Sequence, residues 1–485
     1  MTFEIVFVLL SLLGMVAALI ADKMRPGMIL FSVVVLFLCA GILTPKEMLE
    51  GFSNKGMITV ALLFLVSEGI RQSGTLGQVI KKLLPQGKTT VFKAQLRILP
   101  SVAFISAFLN NTPVVVIFAP IIKHWAKSVN LPATKFLIPL SYVTILGGIC
   151  TLIGTSTNLV VHGMILEAGF EGFSMFELGK VGIFIAIAGI IYIFLFSKRL
   201  LPDARPDTAV PDEEVEEGEK LHRVEAVLGA RFPGINKKLK DFNFQRHYGA
   251  EVKEIKTRNG QRFVTNLDDV VLHEGDTLVV MADDTFIPTW GESSVFVLLT
   301  NGNEPDTSGK KKRWFALLLL VLMIVGATVG ELPVTKEMFP DIKLDMFFFV
   351  SITTIIMAWT NLFPARKYTK YISWDILITI ACAFAISKAM VNSGVADSVA
   401  KFIIGLSDDY GPHVLLAMVF IITNLFTELI TNNAAAALAF PLALSISAQL
   451  GVSPTPFFVV ICMAASASFS TPIGYQTNLI VQGIG

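Results

Sequence analysis

The segment FLNNTPVVVIFAP, residues 108–120, places Asn-Asn-Thr-Pro inside one of the most apolar parts of the chain. The segment ELITNNAAAALAFP, residues 428–441, repeats the pattern in the second half of the chain. Inside a bilayer, irregular backbone survives only where protein or water surrounds it, because every amide needs a hydrogen-bond partner. We therefore predict that each segment contains the tip of a re-entrant helical hairpin, and that the two hairpins are related.

The composition of the chain is that of a membrane protein. Its 485 residues are 53% hydrophobic and 16% charged, with a mean hydropathy of +0.66, whereas soluble proteins carry about 25% charged residues. Two interrupted apolar runs, 91–126 and 413–450, contain the polar segments. Other runs, long enough to cross roughly 30 Å of hydrocarbon, lie at 3–21, 26–43, 56–72, 135–167, 178–198, 314–332, 345–361, 371–390 and 456–484. The predicted fold class is a polytopic α-helical membrane protein.

Residues 200–313 interrupt the apolar pattern and indicate a soluble insert. Strand-like runs at 247–255, 262–266 and 276–282 are separated by Gly-containing turns, which favours a small α/β module. The predicted organisation is membrane repeat 1 at 1–199, an acidic linker at 200–220, the α/β module at 221–287, a basic linker at 288–313 and membrane repeat 2 at 314–485.

The distribution of Lys and Arg predicts the orientation, because these residues mark the cytoplasmic side of a membrane protein. The KKKR sequence at 310–313 places the insert inside, and five crossings before the insert place the N-terminus outside. The basic segment 71–97 then also falls inside, and the acidic-leaning loop 167–178 falls outside. We predict a multi-pass protein of the plasma (inner) membrane with a cytoplasmic insert.

The two halves of the chain align with each other. With five crossings in each half, an odd number, the second half is expected to be inverted relative to the first. Inverted repeats with polar breaks at matching positions are typical of secondary transporters whose site lies near the membrane midplane. The second half ends at Gly485, before a counterpart of the helix at 178–198, so we expect a further helix there. The matching pairs are 64–83 with 384–403, 109–120 with 430–441, and 151–163 with 470–483.

The hairpin tips suit an anion. Pro113 fits the first turn of the second hairpin arm, where its missing N–H does no harm. The free amides and the positive dipole end of such a helix start attract negative charge. The predicted substrate-binding residues at the two tips are Asn110, Asn111, Thr112, Thr431, Asn432 and Asn433.

A second pair of polar breaks, at 154–158 and 474–478, suits a hard cation. Glycines and small polar residues unwind a helix there, and backbone carbonyls with Asn and Thr oxygens favour Na⁺ over a transition metal. The predicted Na⁺ ligands are Asn111, Gly154, Thr155, Asn158, Asn432, Gly474, Thr477 and Asn478. Glu428 is costly in lipid, at about 2.5–3.5 kcal/mol; we interpret it either as a coupling group or as a residue that stabilises the hairpin.

At these motifs the chain resembles the divalent anion:sodium symporter (DASS) family of the ion transporter superfamily. That family carries Ser-Asn-Thr at each hairpin tip, eight residues before a Pro. Here Asn110-Asn111-Thr112 precedes Pro120, Thr431-Asn432-Asn433 precedes Pro441, and Thr427-Glu428 is similar to the family's Thr-Glu. The resemblance covers both membrane halves and implies substrate contacts from both tips, with Na⁺ between each tip and the facing loop.

The chain departs from the family pattern in two places. Asn110 and Thr431 occupy the Ser positions, and Asn433 occupies the last Thr position, so dicarboxylate specificity is not carried over. Residues 221–287 look like the TrkA-C (RCK C-terminal) module of potassium-conductance regulators, which usually dimerises and binds small ligands. Superfamily members with such inserts are often regarded as permeases of sulfate or other inorganic anions. The resemblance therefore implies a homodimer and a regulatory ligand that the sequence does not identify.

We predict a secondary-active transporter of a sulfate-like inorganic anion, driven by Na⁺ and operating by an elevator mechanism. The alternatives are an exchanger or H⁺-coupled carrier of di- or tricarboxylates or metalloid oxyanions, and a ligand-gated channel, although no ring-forming selectivity filter occurs in the sequence. No nucleophile–base set or phosphate loop indicates an enzyme, so we predict no catalytic residues. The expected partners are the small anionic substrate and membrane lipid, with no nucleic acid.

Overall fold

The computed structural model describes most of the chain. The described residues are 3–21, 23–85, 87–203, 222–229, 232–257, 261–283, 286, 290, 295–300, 310–405, 411–471 and 474–484. Most of the predicted acidic linker (204–220) and part of the basic linker (301–309) lie outside them.

The first half of the membrane part consists of ten α-helices in the described residues. They are α1 Phe3–Ala21, α2 Pro26–Cys39, α3 Pro45–Glu50, α4 Lys55–Gln72, α5 Thr75–Leu83, α6 Val91–Ser106, α7 Asn111–Ser128, α8 Thr134–Gly148, α9 Ser156–Glu167 and α10 Gly179–Leu200. A short helix of the insert, α11, spans Phe244–Tyr248.

The second half also contains ten α-helices in the described residues. Its members are α12 Lys310–Gly330, α13 Pro333–Met338, α14 Met346–Trp359, α15 Tyr368–Tyr371, α16 Trp374–Asn392, α17 Val395–Gly405, α18 Pro412–Leu429, α19 Asn432–Leu450, α20 Thr455–Ser466 and α21 Gln476–Ile484. Seven helical stretches among the described residues are long and apolar enough to cross a membrane. The predicted class, a helical membrane protein with a small soluble insert, is confirmed.

The polar segments interrupt helices where the sequence predicts. Helices α6 and α7 are separated at residues 107–110, and α18 and α19 at Ile430–Thr431, so that each pair forms a hairpin. Pro113 lies in the first turn of α7. The second pair of breaks separates α8 from α9 and α20 from α21, which gives two broken helices. The re-entrant hairpins and broken helices of the predicted fold class are therefore present.

The two halves pack into each other rather than side by side. Helix α16 packs against α2 and α4 packs against α14, and both contacts join helices of opposite halves. Helices of opposite halves also pack together near the breaks, where α7 contacts α21 and α19 contacts α9. One large apolar core contains residues from both halves. This interlocking brings the tip of each hairpin to the broken helix of the other half.

The insert is an antiparallel sheet with an aromatic core. Its strands are β1 His222–Leu228, β2 Glu251–Lys256, β3 Arg262–Phe263, β4 Thr277–Ala282 and β5 Phe296–Thr300, in the order β3-β2-β4-β1-β5. Strands β3 and β4 fall within the predicted strand-like runs, and β2 overlaps the run 247–255 but ends one residue beyond it. Strand β1 has no counterpart in those runs, and β5 pairs with β1 inside the range assigned to the basic linker. The sheet therefore extends past residue 287, the predicted end of the module.

Candidate functional site

The starts of four helices meet in the interior of the membrane part, where tips and loops of opposite halves touch. Thr112, in the first turn of α7, donates a hydrogen bond to Oε1 of Gln476 at 3.3 Å. Asn433, in the first turn of α19, accepts one from the Ser156 hydroxyl at 3.4 Å. In the alignment of the halves, Thr112 corresponds to Asn433 and Gln476 corresponds to Ser156. The two contacts are therefore equivalent, and each tip faces the loop of the other half.

Asn111 is fully buried at the centre of this arrangement. In the amide orientation that pairs every donor with an acceptor, its Oδ1 accepts a hydrogen bond from the Tyr475 hydroxyl at 2.6 Å. Its Nδ2 donates to the carbonyls of Thr144 at 3.0 Å and Gly154 at 3.2 Å. A Cβ at Gly148 would overlap the Asn111 amide, so only glycine permits this approach. The predicted ligands Asn111 and Gly154 are thus in direct contact.

Tyr475 links three of the four polar breaks, although it is absent from the predicted site residues. Its hydroxyl contacts Asn111 of the first tip and lies 2.9 Å from the Thr155 hydroxyl of the first loop, while its backbone belongs to the second loop. The side chain is buried. The sequence contains a signal for this role, because Tyr475 occupies the position of Thr155 in the repeat, and a phenol is unusual in a break built from small residues.

Asn158 holds the first loop together and leaves one oxygen open. Its Nδ2 donates to the Thr151 carbonyl at 2.9 Å and to the Gly148 carbonyl at 3.4 Å. Its Oδ1 is buried and has no hydrogen-bond partner among the described residues. A buried amide oxygen without a partner is costly. A cation would satisfy it, so Asn158 stays a predicted ligand of Na⁺.

Asn478 occupies the matching place in the second loop, but its oxygen has a partner. Its Nδ2 donates to the carbonyls of Ser468 at 2.8 Å and Thr471 at 3.3 Å, the same separations of ten and seven residues that Asn158 spans. The Ser141 hydroxyl lies 2.7 Å from Oδ1 of Asn478 and 2.9 Å from Oγ1 of Thr477. Ser141 is a site residue that the sequence does not predict, because it lies in the continuous helical part of α8, away from the break.

The remaining predicted residues lie at the tips and in the second loop. Thr431 is the N-terminal capping residue of α19, and its buried hydroxyl has no partner among the described residues. Asn110 and Asn432 are half-buried at the two tips, and the hydrogen bonds between described residues do not include their side chains. A Cβ at Gly474 would overlap the Ser468 hydroxyl, so the second loop also requires a glycine.

Glu428, at the end of α18, stabilises the second loop. Its Oε1 accepts hydrogen bonds from the backbone amides of Phe469 and Ser470, both at 3.0 Å. Its Oε2 accepts from the Thr471 amide at 2.9 Å and hydroxyl at 2.8 Å. Of the two interpretations that the sequence leaves open, these contacts favour a stabilising residue over a coupling group.

The buried basic residues among the described part of the chain are Lys135 and Arg313, and the contacts of both lie away from the tips. Nζ of Lys135 donates to the Lys198 carbonyl at 2.9 Å and pairs with Asp203 at 3.2 Å. Arg313 lies in the first turn of α12, and its backbone carbonyl accepts a hydrogen bond from the Thr75 hydroxyl at 3.3 Å. The positive groups at the tips themselves are therefore the amide N–H groups of the helix starts.

The hairpins and broken helices place polar groups together in the interior of a membrane protein. This arrangement defines the class of the protein as a transporter. A family model described as "Citrate transporter" (CitMHS) matches residues 16–461, and the chain belongs to this family. The family and its relatives indicate a transporter and not an enzyme.

Two relatives match nearly the whole chain, and a third is named after its substrates. The chain is 29% identical to an uncharacterized transporter of Synechocystis sp., over 93% of this chain and 88% of that protein. It is 27% identical to a putative sulfur deprivation response regulator of Chlamydomonas reinhardtii, over 94% of this chain and 92% of that protein. A probable sodium/sulfate cotransporter 3 of the same alga is 23% identical, over 96% of this chain and 83% of that protein.

Proposed function

We propose that the protein is a secondary-active transporter that moves sulfate, or an inorganic anion of similar charge, together with Na⁺. The observation that carries this proposal is the pair of equivalent contacts Thr112–Gln476 and Ser156–Asn433, which hold two hairpin tips against two broken helices. A relative that matches 96% of this chain is named as a probable sodium/sulfate cotransporter, which supports the choice of substrates.

The anion is proposed to bind between the two hairpin tips. Helices α7 and α19 start there, and their first amides lack partners within their own helices. Each helix start is equivalent to about half a positive charge, which favours an anion in a site sheltered from water. The hydroxyl groups of Thr112 and Thr431 and the amide of Asn433 supply further hydrogen bonds.

Na⁺ is proposed to bind at the first loop. The open Oδ1 of Asn158 supports this assignment, because Na⁺ prefers neutral oxygen ligands and the atom has no other described partner. Carbonyls of the unwound segment 149–155 and the Thr155 hydroxyl are the other candidate ligands. A bound cation also lowers the electrostatic cost of an adjacent anion, which is a physical basis for coupling the two.

The two halves are proposed to be inverted repeats that work as an elevator. The repeated bonds of Asn158 and Asn478 support an internal symmetry, and five crossings per half make the relation an inversion. Because each tip is hydrogen-bonded to the loop of the other half, the tips and loops are expected to move as one unit. We further propose a DASS-like homodimer with a cytoplasmic TrkA-C-like insert and an external N-terminus.

Uptake into proteoliposomes tests this proposal. Purified protein is reconstituted, and uptake of radiolabelled sulfate is measured with and without an inward Na⁺ gradient. The Asn111→Ala variant is expected to lower uptake about tenfold or more, since it leaves buried polar partners unsatisfied at about 1–3 kcal/mol each. The control variant is Asn361→Gly, which removes an exposed amide at a backbone conformation that glycine adopts freely. If sulfate uptake is the same without the Na⁺ gradient and in the Asn111→Ala variant, the proposal is refuted.

A carrier of citrate or another carboxylate is the second candidate, because the description of the family favours it. The same vesicles separate the two functions. An excess of unlabelled citrate is expected to leave sulfate uptake unchanged if sulfate is the substrate, and to abolish it if the site prefers tricarboxylates. Uptake that follows a pH gradient instead of a Na⁺ gradient would indicate H⁺ coupling, and single-channel currents would indicate a channel.

A further inference from the structure

The soluble insert is attached by side chains to two helices that begin at the site. Lys123 lies near the end of α7, and its Nζ pairs with both carboxylate oxygens of Glu225 on β1 at 3.0 Å. The same Nζ donates to the carbonyl of Ile484, at the end of α21, at 2.7 Å. One ammonium group therefore joins the insert, the second arm of the first hairpin and the second broken helix.

A second contact joins the insert to α21 independently. The hydroxyl of Thr277, on β4, donates to the Gly483 carbonyl at 2.8 Å, and Thr277 is fully buried. Strand β1 packs against α21, and β5 packs against α7. Three neighbouring strands of the sheet thus contact the ends of the same two helices.

The ion pair between the insert and α7 is largely buried and involves a second lysine. The Glu225 side chain is 17% exposed, and Lys256 of β2 adds a second cation at 3.5 Å. Burial raises the pKa of Glu225, but Lys123 and Lys256 together lower it by more than burial raises it. The pKa therefore falls below its ordinary value, and the carboxylate is charged. Removing one partner of such a pair leaves the other charge poorly solvated.

The opposite ends of these helices carry the proposed binding residues. Asn111 and Lys123 are twelve residues apart on α7, or about 18 Å at 1.5 Å per residue. Thr477 and Gly483 are six residues apart on α21, or about 9 Å. A displacement of either helix at the end that contacts the insert is therefore transmitted along the rigid helix, to the tip for α7 and to the loop for α21.

We propose that the insert is a clamp that holds the ends of α7 and α21 together and thereby sets the affinity of the anion site. This inference rests on the proposed function and adds its regulation. Displacement of the sheet from Lys123 and Gly483 is expected to weaken anion binding without any contact to the site. The clamp thus couples the insert to the site, and the strength of this effect is the coupling free energy between docking of the insert and binding of the anion.

The clamp is tested in the full-length protein with two variants and a matched control. Glu225→Gln removes the charge of the first contact, and Thr277→Val removes the hydroxyl of the second while keeping the shape of the side chain. Glu251→Gln is the control, because Glu251 pairs with Lys253 on the exposed part of the same sheet. Each clamp variant is expected to raise the half-saturating sulfate concentration about fivefold, and the control is expected to match the unmodified protein.

Amide hydrogen exchange without anion gives an independent measurement of docking. In both clamp variants we expect faster exchange in β1 and α21, and unchanged exchange in the control. Faster exchange with an unchanged sulfate constant would overturn the regulatory role, and unchanged exchange in both variants would overturn the clamp itself. If the unmodified protein takes up no sulfate, the proposed function fails; the clamp is then judged from the exchange result and from the half-saturating concentration of whichever anion is transported.

Discussion

The two loops of the broken helices have the same scaffold but differ in what they leave open. Asn158 and Asn478 make equivalent bonds to carbonyls seven and ten residues earlier in the chain. The Oδ1 of Asn158 has no described partner, whereas that of Asn478 accepts a hydrogen bond from Ser141. The difference indicates that a repeated fold supplies two similar loops, of which the first retains the better free ligand for a cation.

The second loop is also more strongly held by its surroundings. Glu428 accepts four hydrogen bonds from residues 469–471, whereas the equivalent position in the first half is Ala107, which has no polar side chain. In both halves a threonine hydroxyl, Thr151 or Thr471, donates to the carbonyl at this position. The common bond preserves the geometry, while the carboxylate adds stability to one half alone.

The largest expected effect comes from removing this carboxylate. Glu428→Ala leaves the backbone amides of residues 469–471 without their acceptor, so we expect the free energy of unfolding to fall by about 3 kcal/mol. Thermal unfolding of the purified protein measures the loss. Glu428→Gln retains one acceptor oxygen and is expected to lose less. If both variants are as stable as the unmodified protein, Glu428 does not stabilise the second loop.

A smaller effect is expected from removing the hydroxyl that joins the two halves. Tyr475→Phe leaves Oδ1 of Asn111 and the Thr155 hydroxyl without this partner, at a cost of about 2 kcal/mol. We expect sulfate affinity to fall about tenfold or more, as measured by ligand-dependent thermal stability.

The matched control for this variant is Tyr192→Phe. Tyr192 is an exposed residue of α10 that packs against Phe196 and is absent from the candidate site. Equal affinities in the Tyr475→Phe and Tyr192→Phe variants would show that the Tyr475 hydroxyl does not organise the anion site.

The smallest effect is expected from replacing the asparagines of the two loops, Asn158 and Asn478, one at a time. Asn158→Ala removes an open oxygen, whereas Asn478→Ala removes one that is already hydrogen-bonded. We expect the half-saturating Na⁺ concentration to rise about fivefold for the first variant, or about 1 kcal/mol, and by less for the second. The Na⁺ dependence of sulfate uptake provides the measurement. A larger rise for Asn478→Ala would reverse the assignment of the better cation site.

Much of the architecture is predictable because it depends on local constraints. Long apolar runs predict membrane helices, and polar residues within them predict breaks, since a broken helix in lipid needs compensating partners. The sheet of the insert is less predictable. Strand β5 lies in a range that reads as a linker, because its pairing with β1 joins residues about seventy positions apart.

The sequence by itself determined a membrane protein of two related halves, with two polar hairpin tips and two polar loops. Only the tertiary structure decided which tip meets which loop, that Tyr475 and Ser141 belong to the site, and that the insert contacts α7 and α21. The reason is the distance along the chain. The bond between Asn111 and Tyr475 joins residues 364 positions apart, and the bond between Ser156 and Asn433 joins residues 277 apart. No local pattern specifies such pairs, because the packing of one half against the other sets them.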